Sequence, residues 1–171
     1  MLNREEIAQL IKEKKLVEGY MDLTTQLTPN GFDLTVQTVY DFDEEGAVDF
    51  SNKERHVPYG KEVLPVKANP EDKHGWWHLA RGVYKVKTNE VVHIPLDMTA
   101  SALTRTTLLR MGAFTQHGLW DAGFTGKSEF ILIVENPFGM RMKQNARIVQ
   151  LVFSRMKETA QGYDGVYKNL Q

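Results

Sequence analysis

The sequence predicts a mainly β fold, as a sandwich, a jelly roll or a closed barrel, that begins with a short helix. Short runs of alternating apolar residues recur along the chain, turn-forming residues separate them, and only the N-terminal stretch has a confident helical pattern. The chain has 171 residues, of which 42% are hydrophobic and 25% charged. This is enough to bury one core, so residues 1–171 are expected to form a single domain.

Charge and cysteine content exclude several classes of protein. A formal net charge of −1 argues against a nucleic-acid polymer as partner, because such surfaces carry a clustered cationic excess. Without cysteine there is no disulfide, no thiolate nucleophile and no Cys-based zinc site. No segment approaches membrane-spanning length, so we expect a soluble cytoplasmic protein that does not enter a membrane. A small anionic ligand bound by a few arginines is compatible with this composition.

The N-terminal helix follows from a local signal. Asn3 and Glu6 have the spacing of a capping box, in which each side chain accepts a hydrogen bond from the backbone of the other. Apolar residues then recur at helical spacing until the lysine run at 12–15. The helix is therefore predicted within residues 1–18, and the lysines are interpreted as its solvated end.

Turn signals delimit the predicted strands. Pro29-Asn30-Gly31 precedes an alternating run in which Asp33 lies near the start, a place where an acid is usually a turn or edge residue. Residues 84–88 and 91–94 alternate as well and are predicted as two strands, with Asn89-Glu90 between them.

The middle of the chain is predicted to contain short strands and loops. Residues 41–52 are acidic and turn-like, and prolines and glycines interrupt residues 57–78. Trp76 and Trp77 must face opposite sides of a strand, so the core or a subunit interface is a better assignment than ligand binding. The nearby histidines lack a compact metal spacing and are interpreted as solvated: His56, His74 and His78.

Polar groups suited to chemistry are densest from residue 105 to residue 126. Arg105 and Arg110 flank two threonines, and guanidinium, hydroxyl and amide groups together can bind phosphate. Surface salt bridges are the commoner role of such arginines. Asp121 lies in a hairpin-like connection bounded by glycines, where a carboxylate could accept a proton from an attacking water. Exposed turn aspartates are also common, so both interpretations stay open on the residues alone.

An ordered series of motifs makes the chain resemble the dUTPase and dCTP deaminase superfamily, most closely its archaeal-type dUTPases. These motifs span nearly the whole chain and occur in the family's order. They are 29–35 (PNGFDLT), 88–90 (TNE) with Pro95, 105–110 (RTTLLR), 118–129 (GLWDAGFTGKSE), 146–152 (ARIVQLV) and 163–167 (YDGVY).

The resemblance implies a distorted jelly-roll subunit in a homotrimer, with active sites at the subunit contacts. Residues 158–171 would fold over the occupied site, although a frayed tail is the usual state of a terminus. The substrate would be dUTP or dCTP. Its phosphates would contact Arg105, Thr106, Thr107, Arg110, Gln150, Tyr163 and Tyr167. Its base and sugar would contact Gln116, His117, Gly118, Leu119 and Phe124.

The same resemblance implies a mechanism. Asp121 would deprotonate the water that attacks the α-phosphorus, and Mg²⁺ would bridge the phosphates, because this ion favours substrate oxygens and waters over an all-protein cage. Asp33 would contribute to the metal through its water shell.

Position 131 separates the two reactions of the superfamily. The deaminases have a catalytic glutamate there, whereas this chain has Ile131, which cannot shuttle a proton. Hydrolysis of dUTP to dUMP and pyrophosphate is therefore the preferred function. Glu129 lies two positions upstream on the same strand face and is a second candidate catalytic residue. A dCTP deaminase, or a bifunctional deaminase and dUTPase, is accordingly the alternative, and a non-catalytic nucleotide-binding relative is a further one.

Overall fold

A computed structural model of the chain describes residues 1–170. In this range the chain forms three helices and eleven strands, so the mainly β prediction is confirmed. The helices are α1 (Arg4–Lys14), α2 (Leu23–Gln26) and α3 (Thr106–Arg110). The strands are β1 (Val17–Glu18), β2 (Leu27–Thr28), β3 (Gly31–Asp41), β4 (Lys61–Glu62), β5 (Trp76–Leu79), β6 (Gly82–His93), β7 (Met98–Thr104), β8 (Ala113–Gln116), β9 (Thr125–Val134), β10 (Met140–Lys143) and β11 (Arg147–Arg155).

Most strands belong to one antiparallel sheet with the order β7-β11-β3-β6-β9-β8. The short strand β1 pairs with β6, and β2 and β4 pair with β3. The sheet curls until its end strands, β7 and β8, meet. The Thr115 amide on β8 donates a hydrogen bond to the Thr104 hydroxyl on β7 at 3.0 Å. Strands β5 and β10 form a separate two-stranded ribbon.

The core lies inside the curled sheet and beneath α1. Six successive residues of β3, from residue 31 to residue 36, are buried, because this strand is covered on both faces. The helix adds Ile7, Leu10 and Ile11 to the same core. Each large apolar side chain buried in this way contributes about 1.5–3 kcal/mol to folding.

The predicted capping box of α1 is confirmed, and the helix ends within the lysine run as predicted, although the predicted helical segment extended to residue 18. The Glu6 amide donates to Asn3 Oδ1 at 2.9 Å, and the Asn3 amide donates to Glu6 Oε2 at 3.0 Å. The helix ends at Lys14, and Lys15 takes a left-handed conformation with φ of 55°. Val17 and Glu18, predicted within the helical segment, instead pair with β6 as a strand.

The prediction of two strands around Asn89-Glu90 is wrong. Strand β6 runs through both residues, with an irregularity in its pairing to β9 between Lys87 and Val91. Glu90 is fully buried inside the strand. Its carboxylate accepts hydrogen bonds from the Thr35 amide at 2.9 Å, the Thr35 hydroxyl at 2.6 Å and the Gln26 side chain at 2.7 Å. These long-range donors allow an acidic residue to occupy a buried strand.

Trp76 and Trp77 face opposite sides of strand β5, as predicted. Trp77 is buried in the core, and its indole N–H donates to the Val63 carbonyl at 2.7 Å. Trp76 faces outward, where the Arg141 guanidinium lies 4.8 Å from the ring centroid. Within residues 1–170, none of the helices is both long and apolar enough to cross a membrane.

Candidate active site

A cavity of about 410 Å³ lies on the outer face of β9, beside the connection from β8 to β9. Strand β9 forms its floor, and the connection, the loop after β3 and the C-terminal residues form its walls. Eight of the residues predicted from the sequence line this one cavity: His117, Gly118, Leu119, Asp121, Phe124, Glu129, Tyr163 and Tyr167.

Hydrogen bonds on both sides of Asp121 hold the hairpin connection in place. The adjacent Trp120 exchanges backbone hydrogen bonds with Ala100 on β7, at 3.0 and 2.9 Å, and its indole N–H donates to the Ser128 hydroxyl at 2.8 Å. On the other side, Gly123 has φ of 81° and donates its amide to the Ile94 carbonyl at 2.9 Å. Among residues 1–170, no hydrogen bond or ion pair engages the exposed Asp121 carboxylate. Both of its oxygens are open to a water molecule in the cavity.

Glu129 and Ile131 lie on the same face of β9 and line the same cavity, as the two-residue spacing predicted. Glu129 is exposed and lies opposite Lys87 of β6. Ile131 is half-buried between Lys85 of β6 and Gln116 of β8 in the strand register. Gln116 itself is exposed at the end of β8 and is not among the residues that line the cavity.

His117 begins the connection and is half-buried in the cavity wall. Its ring centroid lies 5.7 Å from both the Trp120 ring and the Phe130 ring. Burial lowers the pKa of this imidazole below its usual value. Near pH 7 the ring is therefore neutral and offers one donor and one acceptor, which suits contact with the polar edge of a base.

Asp33 organises a second group of polar residues. Its buried carboxylate lies 3.0 Å from Arg105 Nε and 3.2 Å from one terminal nitrogen of Arg147. Burial raises the pKa of this carboxyl, and both guanidinium groups act against that shift. Arg147 also donates to the Thr25 carbonyl at 2.7 Å. Asp33 thus fixes two arginines, a contact that the sequence pattern did not predict.

Other phosphate-binding candidates lie on or next to α3 and on β11. Arg105 precedes α3, a short helix that was not predicted, and Thr106, Thr107 and Arg110 are exposed on that helix. Gln150 lies opposite Asp33 in the pairing of β11 with β3, and its amide donates to the Thr28 hydroxyl at 2.5 Å.

The two groups do not meet within one chain. In the described part of the molecule, none of the five candidates around α3 and β11 lines the cavity that contains Asp121: Arg105, Thr106, Thr107, Arg110 and Gln150. A single chain therefore does not bring these five candidate phosphate contacts into the cavity of the candidate catalytic acid, whereas the other two, Tyr163 and Tyr167, do line it.

Comparison with known proteins gives the family. A family model described as dCTP deaminase-like matches residues 1–156. A probable deoxyuridine 5'-triphosphate nucleotidohydrolase of Archaeoglobus fulgidus is 43% identical over 98% of this chain and 95% of its own length. A protein of the same description from Methanosarcina mazei is 44% identical over 99% of this chain and 96% of its own. The chain belongs to the dCTP deaminase-like family.

A solved structure supports the fold of this dCTP deaminase-like chain. The 2'-deoxycytidine 5'-triphosphate deaminase of Agrobacterium tumefaciens superposes on 89% of the chain with a TM-score of 0.61 at 22% sequence identity. The superposition covers 46% of that longer chain. It confirms the fold class, whereas the reaction has to be inferred from the site itself.

The C-terminal segment follows the part matched by the dCTP deaminase-like family model, and it lies along the hairpin. The Tyr163 amide donates to the Ala122 carbonyl at 2.7 Å, and the Tyr163 ring centroid is 5.7 Å from that of Phe124. Further on, the Asn169 amide donates to the Thr125 carbonyl at 2.6 Å. The segment through residue 170 is thus attached at both ends of its path. Its closure over a bound nucleotide stays a prediction.

Ten of the residues that line the cavity were not among the predicted contacts, and four of these lie away from the hairpin, β9 and the C-terminal segment. Phe42, Val57 and Pro58 come from the loop after β3, and Lys85 comes from β6. Phe42 is an apolar residue inside an acidic run, which is the one local signal that could have identified it. The alternation of β6 could have placed Lys85 on the outer face, but not beneath that loop.

The donor set does not fit a metal ion held by the protein alone. Residues 1–170 contain no group of three or more His, Asp or Glu side chains arranged to bind a metal. The Oδ2 atom of Asp33 is already engaged by two arginines. Its contact with Mg²⁺ through water stays a prediction.

Proposed function

We propose that this chain hydrolyses dUTP to dUMP and pyrophosphate. The observation that carries the proposal is the pair of residues that line the cavity at two positions. Among residues 1–170, the Asp121 carboxylate has no hydrogen-bond partner, and position 131 is isoleucine. An isoleucine cannot transfer the protons that deamination requires. The archaeal relatives described as dUTP nucleotidohydrolases, which align over nearly the whole chain, support the same reaction.

The proposed chemistry is a displacement at phosphorus. Asp121 accepts a proton from water as the water oxygen attacks the α-phosphorus. The bond between the α-phosphorus and the oxygen that bridges to the β-phosphorus breaks, and pyrophosphate leaves. A positioned general base of this kind accelerates a reaction by about 10²- to 10⁴-fold.

The hairpin supplies the proposed contacts to the nucleoside. The backbone at residues 117–119 and the neutral His117 ring contact the pyrimidine edge, and Phe124 packs on the deoxyribose. An aromatic ring against C2' leaves no room for a 2'-hydroxyl, so ribonucleotides are disfavoured. Tyr163 and Tyr167 approach from the C-terminal segment, and their position along the cavity supports a contact with the bound substrate.

We propose that the phosphate contacts come from a second copy of the chain in a homotrimer. The separation of Asp121 from Arg105, Arg110 and Gln150 within one chain supports this assignment. A cyclic assembly brings two different surfaces of the subunit together at each contact, which allows one copy to complete the site of another.

An apolar row beside the cavity supports the same assembly. Val83, Ile133 and Phe114 are neighbours across β6, β9 and β8. Val83 and Phe114 are 44% and 39% exposed, and Ile133 is half-buried. Adjacent apolar residues on a solvent face are typical of an interface. Light scattering after gel filtration would test the trimer, and a monomeric mass would contradict it.

Magnesium is proposed to enter with the substrate. Because the side chains of residues 1–170 form no group that could bind a metal, the ion would be held by the triphosphate oxygens and by water, which is usual for Mg²⁺. No step of the reaction is assigned to it. A cytoplasmic location is likewise a proposal.

A bifunctional enzyme is the second candidate, favoured by Glu129 in the same cavity as Asp121. Incubation with dUTP and with dCTP, each with Mg²⁺, separates the two. Pyrophosphate from dUTP without ammonia from dCTP is the expected result. Ammonia from dCTP would favour the bifunctional enzyme, and saturable binding without turnover would overturn both.

A further inference from the structure

The loop between β3 and β4 forms one wall of the cavity. It spans residues 42–60, and three of its residues line the cavity: Phe42, Val57 and Pro58. Two backbone hydrogen bonds between Ala47 and His56, both 2.9 Å, brace the loop internally. These bonds give the loop its own shape but do not attach it to the sheet. The shape of the cavity depends on what attaches it.

Lys85 provides a charged attachment to the sheet. Its ammonium group donates hydrogen bonds to the Pro58 carbonyl at 3.3 Å and to the Tyr59 carbonyl. The Tyr59 ring adds a second contact between the loop and the sheet, because its centroid lies 5.6 Å from that of Tyr40 on β3. The ammonium nitrogen also lies 5.0 Å from the Tyr40 ring centroid and 5.1 Å from that of Tyr59, within range of a cation–π interaction. Carbonyl oxygens and aromatic faces thus surround the charge.

The loop in turn contacts the C-terminal segment. The Arg55 guanidinium lies 5.9 Å from the ring centroid of Tyr167, and Tyr167 lines the cavity. Lys85, the loop and the C-terminal segment therefore form one connected series of contacts around the cavity. A displacement of the loop would remove the Arg55 contact from Tyr167 of the C-terminal segment.

We propose that Lys85 is a positioning residue: its ammonium group fixes the 42–60 loop, and through Arg55 and Tyr167 the C-terminal segment, around the bound nucleotide. This proposal rests on the proposed function. The ammonium group is engaged by carbonyls of its own chain, so its role is to hold the wall of the cavity. Its loss weakens substrate binding more than it slows the chemical step.

Two substitutions at this position separate the charge from the packing. Lys85→Met keeps an unbranched chain of similar length and removes every donor, whereas Lys85→Arg keeps the charge and the donors. Lys12→Met is the matched control, because Lys12 is exposed on α1 and has no partner among the described residues.

The first test needs no nucleotide. Trypsin cleaves after Lys53 and Arg55, which both lie in the loop, and mass spectrometry follows the two products. Lys85→Met should be cleaved there about tenfold faster than the parent protein, because opening a loop held by a charged hydrogen bond becomes easier by about that factor. Lys85→Arg and Lys12→Met should be cleaved at the parental rate. Equal rates in all four proteins would overturn the proposal.

The second test uses dUTP kinetics. Lys85→Met should raise KM about tenfold and change kcat less than about threefold, with partial rescue by Lys85→Arg. A fall in kcat at unchanged KM would overturn the positioning role. Arg55→Gln should also raise KM, and if Lys85→Met does not fold, an unchanged KM in Arg55→Gln overturns the proposal. If the parent protein does not turn over dUTP, the proposed function fails while the trypsin comparison still decides the attachment of the loop.

Discussion

Replacing Asp33 with asparagine should lower the free energy of unfolding by about 2–3 kcal/mol. The Asp33 side chain is 3% exposed and contacts Arg105 and Arg147 at 3.0 and 3.2 Å. Removing one partner of a fully buried ion pair costs about 3–5 kcal/mol, because the other charge stays buried without compensation. Here the two arginine side chains are 29% and 32% exposed, so water replaces part of the lost interaction and the cost is smaller.

The substitution should also affect nucleotide binding. Asparagine keeps an oxygen acceptor but loses the negative charge that orients both guanidinium groups. Arg105 would then sample other rotamers before it meets a phosphate. We expect a rise in the KM for dUTP of about tenfold with a smaller change in kcat, as is typical when binding contacts are lost.

Urea unfolding followed by circular dichroism measures the stability change. Asp97→Asn is a matched control, because Asp97 pairs with Arg155 at 3.9 Å on the surface, with side chains 40% and 56% exposed. An exposed pair of this kind contributes about 0–1 kcal/mol. Equal effects of the two substitutions, or a more stable Asp33→Asn variant, would refute the assignment of Asp33 as the organiser of the two arginines.

Three further outcomes are expected. Arg110→Ala and Asp121→Asn should each be inactive alone, whereas refolding the two variants together should restore part of the activity; an inactive mixture would contradict a site shared between copies. Burial lowers the pKa of His117 from 6.5, so its neutral form contributes stability that is complete above about pH 6.5 and is lost as the pH falls through the folded-state pKa. Relative to His117→Gln, the protein should lose stability in urea unfolding as the pH falls below about 6.5, and parallel curves would argue against this. Deleting residues 158–171 should raise the KM for dUTP at least about tenfold, and an unchanged KM would show that the segment does not cover the substrate.

Elements with local signals could be predicted from the sequence. The capping box at Asn3 needs only residues three positions apart, and the opposite faces of Trp76 and Trp77 follow from strand geometry. Glu129 and Ile131 share a face for the same reason. Each of these features depends on a repeat distance within one element, so no tertiary information was required.

Elements that depend on distant partners could not be predicted in this way. Asn89-Glu90 has the composition of a turn, yet Glu90 lies in a buried strand because Thr35 and Gln26 supply its hydrogen bonds. The helix α3 has only five residues, too few for a periodic pattern.

The same distinction between local signals and distant contacts applies to the candidate site. The motif order indicated the hairpin around Asp121 and the arginines near Arg105, but not that they lie apart within one chain. The loop wall and its attachment by Lys85 depend on residues more than 25 positions apart in sequence, with no local signal that joins them.

The proposed role of Asp121 can be tested in one comparison of the parent protein with Asp121→Asn. Pyrophosphate release from dUTP should fall by about 10²- to 10⁴-fold in the variant, because the water loses its general base. Binding of a non-hydrolysable dUTP analogue should change less than about threefold, since the carboxylate contacts water and not the nucleotide. Turnover of dUTP at the parental rate by Asp121→Asn would contradict the proposed mechanism.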